Sequence, residues 1–165
     1  MDHTRIKKLT FSGVMAALTF IATYFIKIPN PIGYIHLGDG VIMAGATLLG
    51  PAAILPAAFG SVLADFMGGY YIYLGPTLVV KGLIAGFAGI LIAKNKPGIA
   101  GAAVIFTLAE LIMVGGYFIT EYFLYGTALA VGAIPGNLIQ GFSGVTIGLV
   151  LYNYMLNMRN EFNKA

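Results

Sequence analysis

The sequence predicts an all-α integral membrane protein: one domain over residues 1–165, six transmembrane helices, both termini cytoplasmic. Three observations carry that prediction. The chain is 59% hydrophobic and only 9% charged, where a soluble domain carries roughly a quarter charged residues. It holds 23 glycines, and glycine is commoner in transmembrane helices than in soluble ones. Its basic residues fall in alternate connections between the apolar runs. At about 20 residues per span, six spans use nearly all of these residues and leave no room among them for a soluble catalytic domain.

Span 1 runs from about Leu9 to Ile26, behind Arg5, Lys7 and Lys8. Its apolar run reaches Phe25 without a clear small-residue cleavage site, so it is expected to be a retained helix and not a signal peptide. Pro29 and Pro31 end it, and IKIPNPIGYIH is expected to be an ordered loop. Span 2, about Leu37–Leu49, is short. Span 3, about Pro51–Met67, follows almost at once, which predicts an antiparallel hairpin bent at Gly50-Pro51. After GGYYIYLG, span 4 begins near Pro76, a residue suited to a first helical turn, and ends near Ala93. KNKPG is the clearest turn. Span 5 covers about Ile99–Phe118 and can continue toward Tyr125. A loop around Gly126–Pro135 leads to span 6, about Gly136–Leu156.

This arrangement puts Arg5, Lys7, Lys8, Lys94, Lys96, Arg159 and Lys164 on one side. The opposite loops hold Lys27, with Lys81 just inside span 4. Lysine and arginine accumulate on the cytoplasmic face, so the termini are expected there, in a prokaryotic plasma membrane. A net charge of +3, spread along the chain, does not point to nucleic acid. Without cysteine there is no thiolate chemistry or Cys-type metal site.

The stretch from Gly33 to Gly82 carries the residues least expected in oily surroundings. Two apolar runs, Val41–Leu49 and Ala52–Leu63, have His36, Asp39, Asp65, Tyr70, Tyr71, Tyr73 and Lys81 at or beyond their outer ends. Ionisable residues in membrane-length apolar sequence are costly and mark functional sites by default. Asp39 is placed either to cap span 2 or to face a ligand. Asp65 and Lys81 either pair with each other or line a wet pocket. Glu110 lies mid-span, so it is protonated, paired with Lys81, or open to a polar cavity. Glu121, about 16 Å further along a continuous helix, is a rim ligand or solvated. Asn137 and Gln140, near the outer end of span 6, can hydrogen-bond a heterocycle or a neighbouring helix. The tyrosine cluster, with Tyr117 and His36, makes a stacking surface for an aromatic ligand. These twelve residues are the candidate substrate-binding set. No metal-ligand cluster, nucleophile–base set or paired-carboxylate arrangement stands out, so neither an enzyme nor a bound cofactor is expected.

Span 1 also carries SGVMAALTF, with Ser12/Ala16 and Gly13/Ala17 each four apart. Small residues at that spacing allow close helix approach, within the chain or to a partner. No phosphate-binding loop is present: GPTLVVKG lacks the second glycine and the hydroxyl that GxxxxGK[ST] requires. Any ATP-driven work must therefore come from another subunit.

The chain resembles the substrate-binding S components of energy-coupling factor (ECF) vitamin transporters, through GVMAA in span 1, IHLGDGVIMAGATLLGP, FGSVLADFMGGY and GPTLVVKGLIAG. The order of these motifs is similar to the branch serving riboflavin, hydroxymethylpyrimidine and vitamin B6. The resemblance implies capture of a vitamin from outside and docking through span 1, at Ser12, Gly13, Ala16 and Ala17, onto a transmembrane coupling (T) subunit. Two cytosolic ATPases would drive it, and the loop around Ile28–His36 would gate the pocket. It further implies that the S component topples in the membrane to deliver its cargo. The carboxylates and Lys81 favour a small polar heterocycle of pyridoxine or hydroxymethylpyrimidine type. The alternative is an ion-coupled secondary carrier using Glu110 and Lys81 as a proton relay, although no duplicated half is visible.

Overall fold

A computed structural model describes residues 3–30 and 33–162. At its centre stands α2 (Gly38–Leu49), in which every residue except Val41 is buried. A helix apolar on all sides belongs in an interior, and α2 is surrounded by α1 (His3–Tyr24), α4 (Leu74–Asn95) and α6 (Thr127–Phe162). The remaining helices, α3 (Ile54–Gly68) and α5 (Ile99–Tyr125), complete the ring. The core joins Ile42, Met43 and Leu48 of α2 to Ile84 and Ile92 of α4, Phe106 and Met113 of α5, and Tyr152 of α6. Outward faces carry large apolar side chains such as Leu9, Leu55, Phe142 and Val150, as a lipid-facing surface requires.

Among the described residues, five stretches are long and apolar enough to cross a membrane: Arg5–Tyr24, Gly38–Gly68, Tyr71–Asn95, Ile99–Tyr125 and Thr127–Glu161. The difference from the expected six lies in α2 and α3, which count as one stretch by length but as two helices in space. A 3-10 turn at Gly50–Ala53 separates them. Gly50 takes φ 61°, and its carbonyl lies so close to Gly89 that a Cβ there would sit 2.3 Å from it. The reversal expected at Gly50-Pro51 is present, yet α2 and α3 are splayed: α2 packs mainly on α6, α3 on α1 and α4, and neither packs much on the other.

Several boundaries differ from expectation. The first loop is a two-stranded antiparallel hairpin, β1 (Lys27–Asn30) with β2 (Gly33–His36), pairing Lys27 with His36 and Asn30 with Gly33. The span 5–6 loop is absent. Gly126 alone separates α5 from α6, and Pro135 lies inside α6. The expected continuation of span 5 to Tyr125 is present. Pro31 and Lys164, used above as a helix break and in the charge count, lie outside the described residues.

The helices alternate in direction. The ends of α1, α3 and α5 and the starts of α2, α4 and α6 meet around one cavity, lined among others by Thr23, Asp65, Thr77, Tyr117 and Asn137. At the opposite end Arg159 donates to the Thr47 carbonyl at 3.3 Å, and Tyr152 donates to the Pro97 carbonyl at 2.6 Å. The basic groups at the start of α1, the end of α4 and the end of α6 therefore lie away from the cavity.

Candidate functional site

The cavity holds about 480 Å³ of empty space when its open mouth is counted, much of that in the mouth itself. One wall is aromatic. Tyr34 of β2 lies 4.8 Å from Tyr70 and 5.5 Å from the His36 ring, centroid to centroid. Tyr117 of α5 faces Tyr73 at 6.4 Å. The lining also carries polar groups: Thr23 and Ser61 hydroxyls, the Asp65 and Glu121 carboxyl groups, and the Asn137 and Gln140 amides.

The hairpin is fastened over this cavity. The Tyr34 hydroxyl donates to Asp65 Oδ1 at 2.6 Å. Burial, then the neighbouring Asp65 carboxylate, pushes the Tyr34 phenol well above its usual range, so it stays a donor. The His36 backbone N–H donates to Gln140 Oε1 at 3.2 Å, and His36 Nδ1 accepts from the Gly38 N–H at 3.1 Å. Burial, and then the positive charge of Lys81, holds the imidazole down at about 3. His36 is therefore neutral at physiological pH. At the outer edge Lys27 Nζ lies 4.5 Å above the Tyr24 ring and 5.2 Å above the Tyr34 ring, a cation–π arrangement.

Beneath the cavity lies a buried polar layer. Lys81 donates to both oxygens of Asp39, at 2.6 and 2.9 Å, and neither side chain is more than 1% exposed. Gln140 Nε2 donates to Asp39 Oδ2 at 2.7 Å, so one amide joins the layer to the hairpin through its other end. Glu110 lies nearby against Gly144 of α6, and both its oxygens lack a hydrogen bond among the described residues.

Of the twelve candidate residues, eight line the cavity: His36, Asp65, Tyr70 and Tyr73 from the central stretch, then Tyr117, Glu121, Asn137 and Gln140. Four do not. Asp39, Lys81 and Glu110 lie in the layer below. Tyr71 is 62% exposed and packs its ring against Phe66, on a different face of the 3-10 turn Tyr71–Tyr73 from the buried Tyr73. Three electrostatic expectations need correction. Lys81 pairs with Asp39 and not with Asp65. Glu110 makes no bond to Lys81. Asp39 is not the cap, since Leu37 is the N-cap of α2 and it is His36 Nδ1 that accepts from the first helical N–H, that of Gly38. Glu121 is only 6% exposed and lines the cavity, so it is not a freely solvated surface group.

Sequence reasoning missed Thr23, Gly33, Tyr34, Ser61 and Thr77, all of which line the cavity. Hydroxyl residues and a lone tyrosine give no cost signal in apolar sequence. Only the period of burial along α1 and α3 would have pointed to Thr23 and Ser61. The four small residues of span 1 also divide. Gly13 and Ala17 are exposed, and nothing lies within 4 Å of a Cβ placed on Gly13. Ser12 and Ala16 are half-buried, and the Ala16 carbonyl abuts Gly60 of α3.

Comparison with known proteins gives a consistent answer. The model of the ECF-type riboflavin transporter S component matches residues 3–157. The thiamine precursor transporter HmpT of Lactococcus lactis subsp. cremoris is 33% identical over 172 aligned positions, covering 100% of this chain and 98% of that protein. An uncharacterised protein of Pyrococcus woesei is 34% identical over 145 positions, covering 84% of this chain and 94% of that one. The crystal structure of an S component for biotin from an ECF-type ABC transporter superposes with a TM-score of 0.76 at 19% identity, over 97% of this chain and 94% of that one.

Proposed function

Because the chain belongs to the ECF-type riboflavin transporter S-component family, we propose that it is the capture subunit of an ATP-driven importer of a small heterocyclic vitamin or vitamin precursor. The observation that carries this reading is a polar, tyrosine-lined cavity inside a largely apolar bundle, at the end remote from the basic residues that begin α1 and end α4 and α6. With those residues cytoplasmic, the cavity opens outward. Six crossings then follow, α2 and α3 each making one.

In this reading the eight lining candidates, together with Tyr34 and Thr77, contact the ligand. Asp39 and Lys81 fix the floor on which Gln140 is held. The β1–β2 hairpin is the gate, opened by releasing Tyr34 from Asp65. Gly13 and Ala17 form the open surface on which a T subunit seats, with two cytosolic ATPases supplying the energy. The 33% identical relative is a thiamine precursor transporter, which favours hydroxymethylpyrimidine over a pyridoxine-type ligand. The ion-coupled alternative loses its relay, since Lys81 is held by Asp39 and makes no bond to Glu110.

The test is mass spectrometry of whatever co-purifies with the chain from cells. A stoichiometric heterocycle of vitamin class is expected. A lipid, an inorganic ion or a peptide in the cavity would contradict the reading.

A further inference from the structure

We propose that Thr23 of α1 and Ser61 of α3 form a subsite for an uncharged hydroxyl group on the ligand, which bridges the two helices whatever ring carries it. This deepens the proposed function and rests on it. Most polar groups around the cavity are already engaged with one another. The Tyr34 hydroxyl is held by Asp65, and the Thr77 hydroxyl lies 3.1 Å from that of Tyr117. Gln140 is bonded at both ends, and Glu121 is bonded by Asn137. Thr23 and Ser61 stand apart. Each is 1% exposed, each lines the cavity, and neither hydroxyl has a hydrogen-bond partner among the described residues. Within a helix such a hydroxyl can donate to the carbonyl one turn back, as Thr10 and Thr120 do here. Thr23 and Ser61 make no such bond, so each keeps a free donor and free acceptor sites. Leaving them unpaired in a buried place is costly, and a partner in the cavity removes that cost.

Packing fixes where these hydroxyls lie. A Cβ on Gly60 would lie 2.5 Å from the Ala16 carbonyl and 3.0 Å from Thr19 Cβ, so α1 and α3 touch just inward of the subsite. Thr23 is one turn outward from Thr19, and Ser61 follows Gly60. Both therefore stand on the flank of the cavity where the two helices meet. A side chain at Gly38 would run into the Thr23 hydroxyl, so the start of α2 abuts the same flank. A group seated between two hydroxyls is best served by donating to one and accepting from the other, and an alcohol does both. An anionic group there would approach Asp65, one turn beyond Ser61 on α3. No cation among the described residues lines the cavity to offset it, His36 being neutral.

Calorimetric titration of the purified full chain, freed of ligand, tests this with two matched sets of probes and riboflavin. One set is 4-amino-5-hydroxymethyl-2-methylpyrimidine with its 5-methyl counterpart; the other is pyridoxine with its 4-deoxy and 5-deoxy counterparts. Within the set that binds, removing one alcohol group should weaken wild-type affinity about 10-fold. T23V and S61A should each weaken the alcohol by a similar factor. In T23V/S61A the same removal from the ligand should cost little, because its partners are already gone. The ligand-free single variants should melt at or above the wild-type temperature, since each loses a buried hydroxyl that had no partner, which a purely structural role would not allow. Losses that simply multiply, no loss on the wild-type chain, or a lower melting temperature of both free variants would overturn the inference and leave the proposed function standing. The first two are what a subsite filled by water alone would give. Binding of riboflavin but of neither set would also overturn the inference alone, and binding of no vitamin-class heterocycle would overturn both.

Discussion

At the scale of single residues, the polar layer under the cavity is where the structure departs most from sequence expectation and where substitutions are most informative. Lys81 and Asp39 are both fully buried. Removing one member of such a pair leaves an uncompensated charge and costs about 3–5 kcal/mol, whereas replacing both by apolar groups is often close to neutral. K81M should therefore lower the melting temperature in detergent sharply, and D39L/K81M should recover much of the loss. Equal destabilisation by the single and double variants would deny the pair its compensating role. His36 gives a pH test. Its folded value, about 3, lies below the ordinary 6.5, so the unfolded chain takes up this proton first as pH falls. The stability His36 contributes is full above about pH 6.5 and is lost progressively as pH falls toward 3. H36N, which keeps an acceptor for the Gly38 N–H, should lose less melting temperature than wild type between pH 7 and 4. Parallel losses in the two proteins would contradict a neutral, buried imidazole. Costly residues such as Asp39, Lys81 and Glu110 announce themselves in apolar sequence, but which carboxylate takes the lysine depends on how α2 and α4 lie together. That is a tertiary fact with no local signature.

At the scale of elements, helix positions were legible because apolar runs, Gly-Pro breaks and the KNKPG turn are local. The hairpin of the first loop was not, since Lys27–Asn30 and Gly33–His36 are too short for an alternation pattern to be counted. Helix faces were also hidden: the small residues of span 1 lie in two stripes, and only packing tells which one is filled. A Cβ on Gly60 would lie 2.5 Å from the Ala16 carbonyl, so α1 and α3 touch backbone to backbone there. G60V must push the two helices apart, at a cost of about 1–3 kcal/mol, seen as a lower melting temperature. G13L, projecting into open space, should leave melting temperature and ligand affinity unchanged and abolish co-purification with the T subunit. Loss of ligand affinity with retained complex formation would mean that the two surfaces have been assigned the wrong way round.

At the scale of the whole molecule, the membrane class followed from composition and the alternating bundle from the order of runs and breaks. Six α-helices are described where six spans are expected, but only five stretches are long and apolar enough to cross a membrane, and α2, at 12 residues, is shorter than an ordinary span of about 20 residues. The chain tolerates it because α2 is enclosed by other helices and meets little lipid. In the proposed reading the assembled bundle recognises its cargo and a partner supplies the energy, which fits a polar cavity, a hairpin fastened over it and a sequence without the phosphate-binding motif. Uptake of labelled aminopyrimidine into proteoliposomes tests this most directly, with the chain alone and with a T subunit, two ATPases and ATP. The account predicts accumulation only in the complete, ATP-supplied system. Concentrative uptake by the chain alone, dissipated by a protonophore, would contradict it.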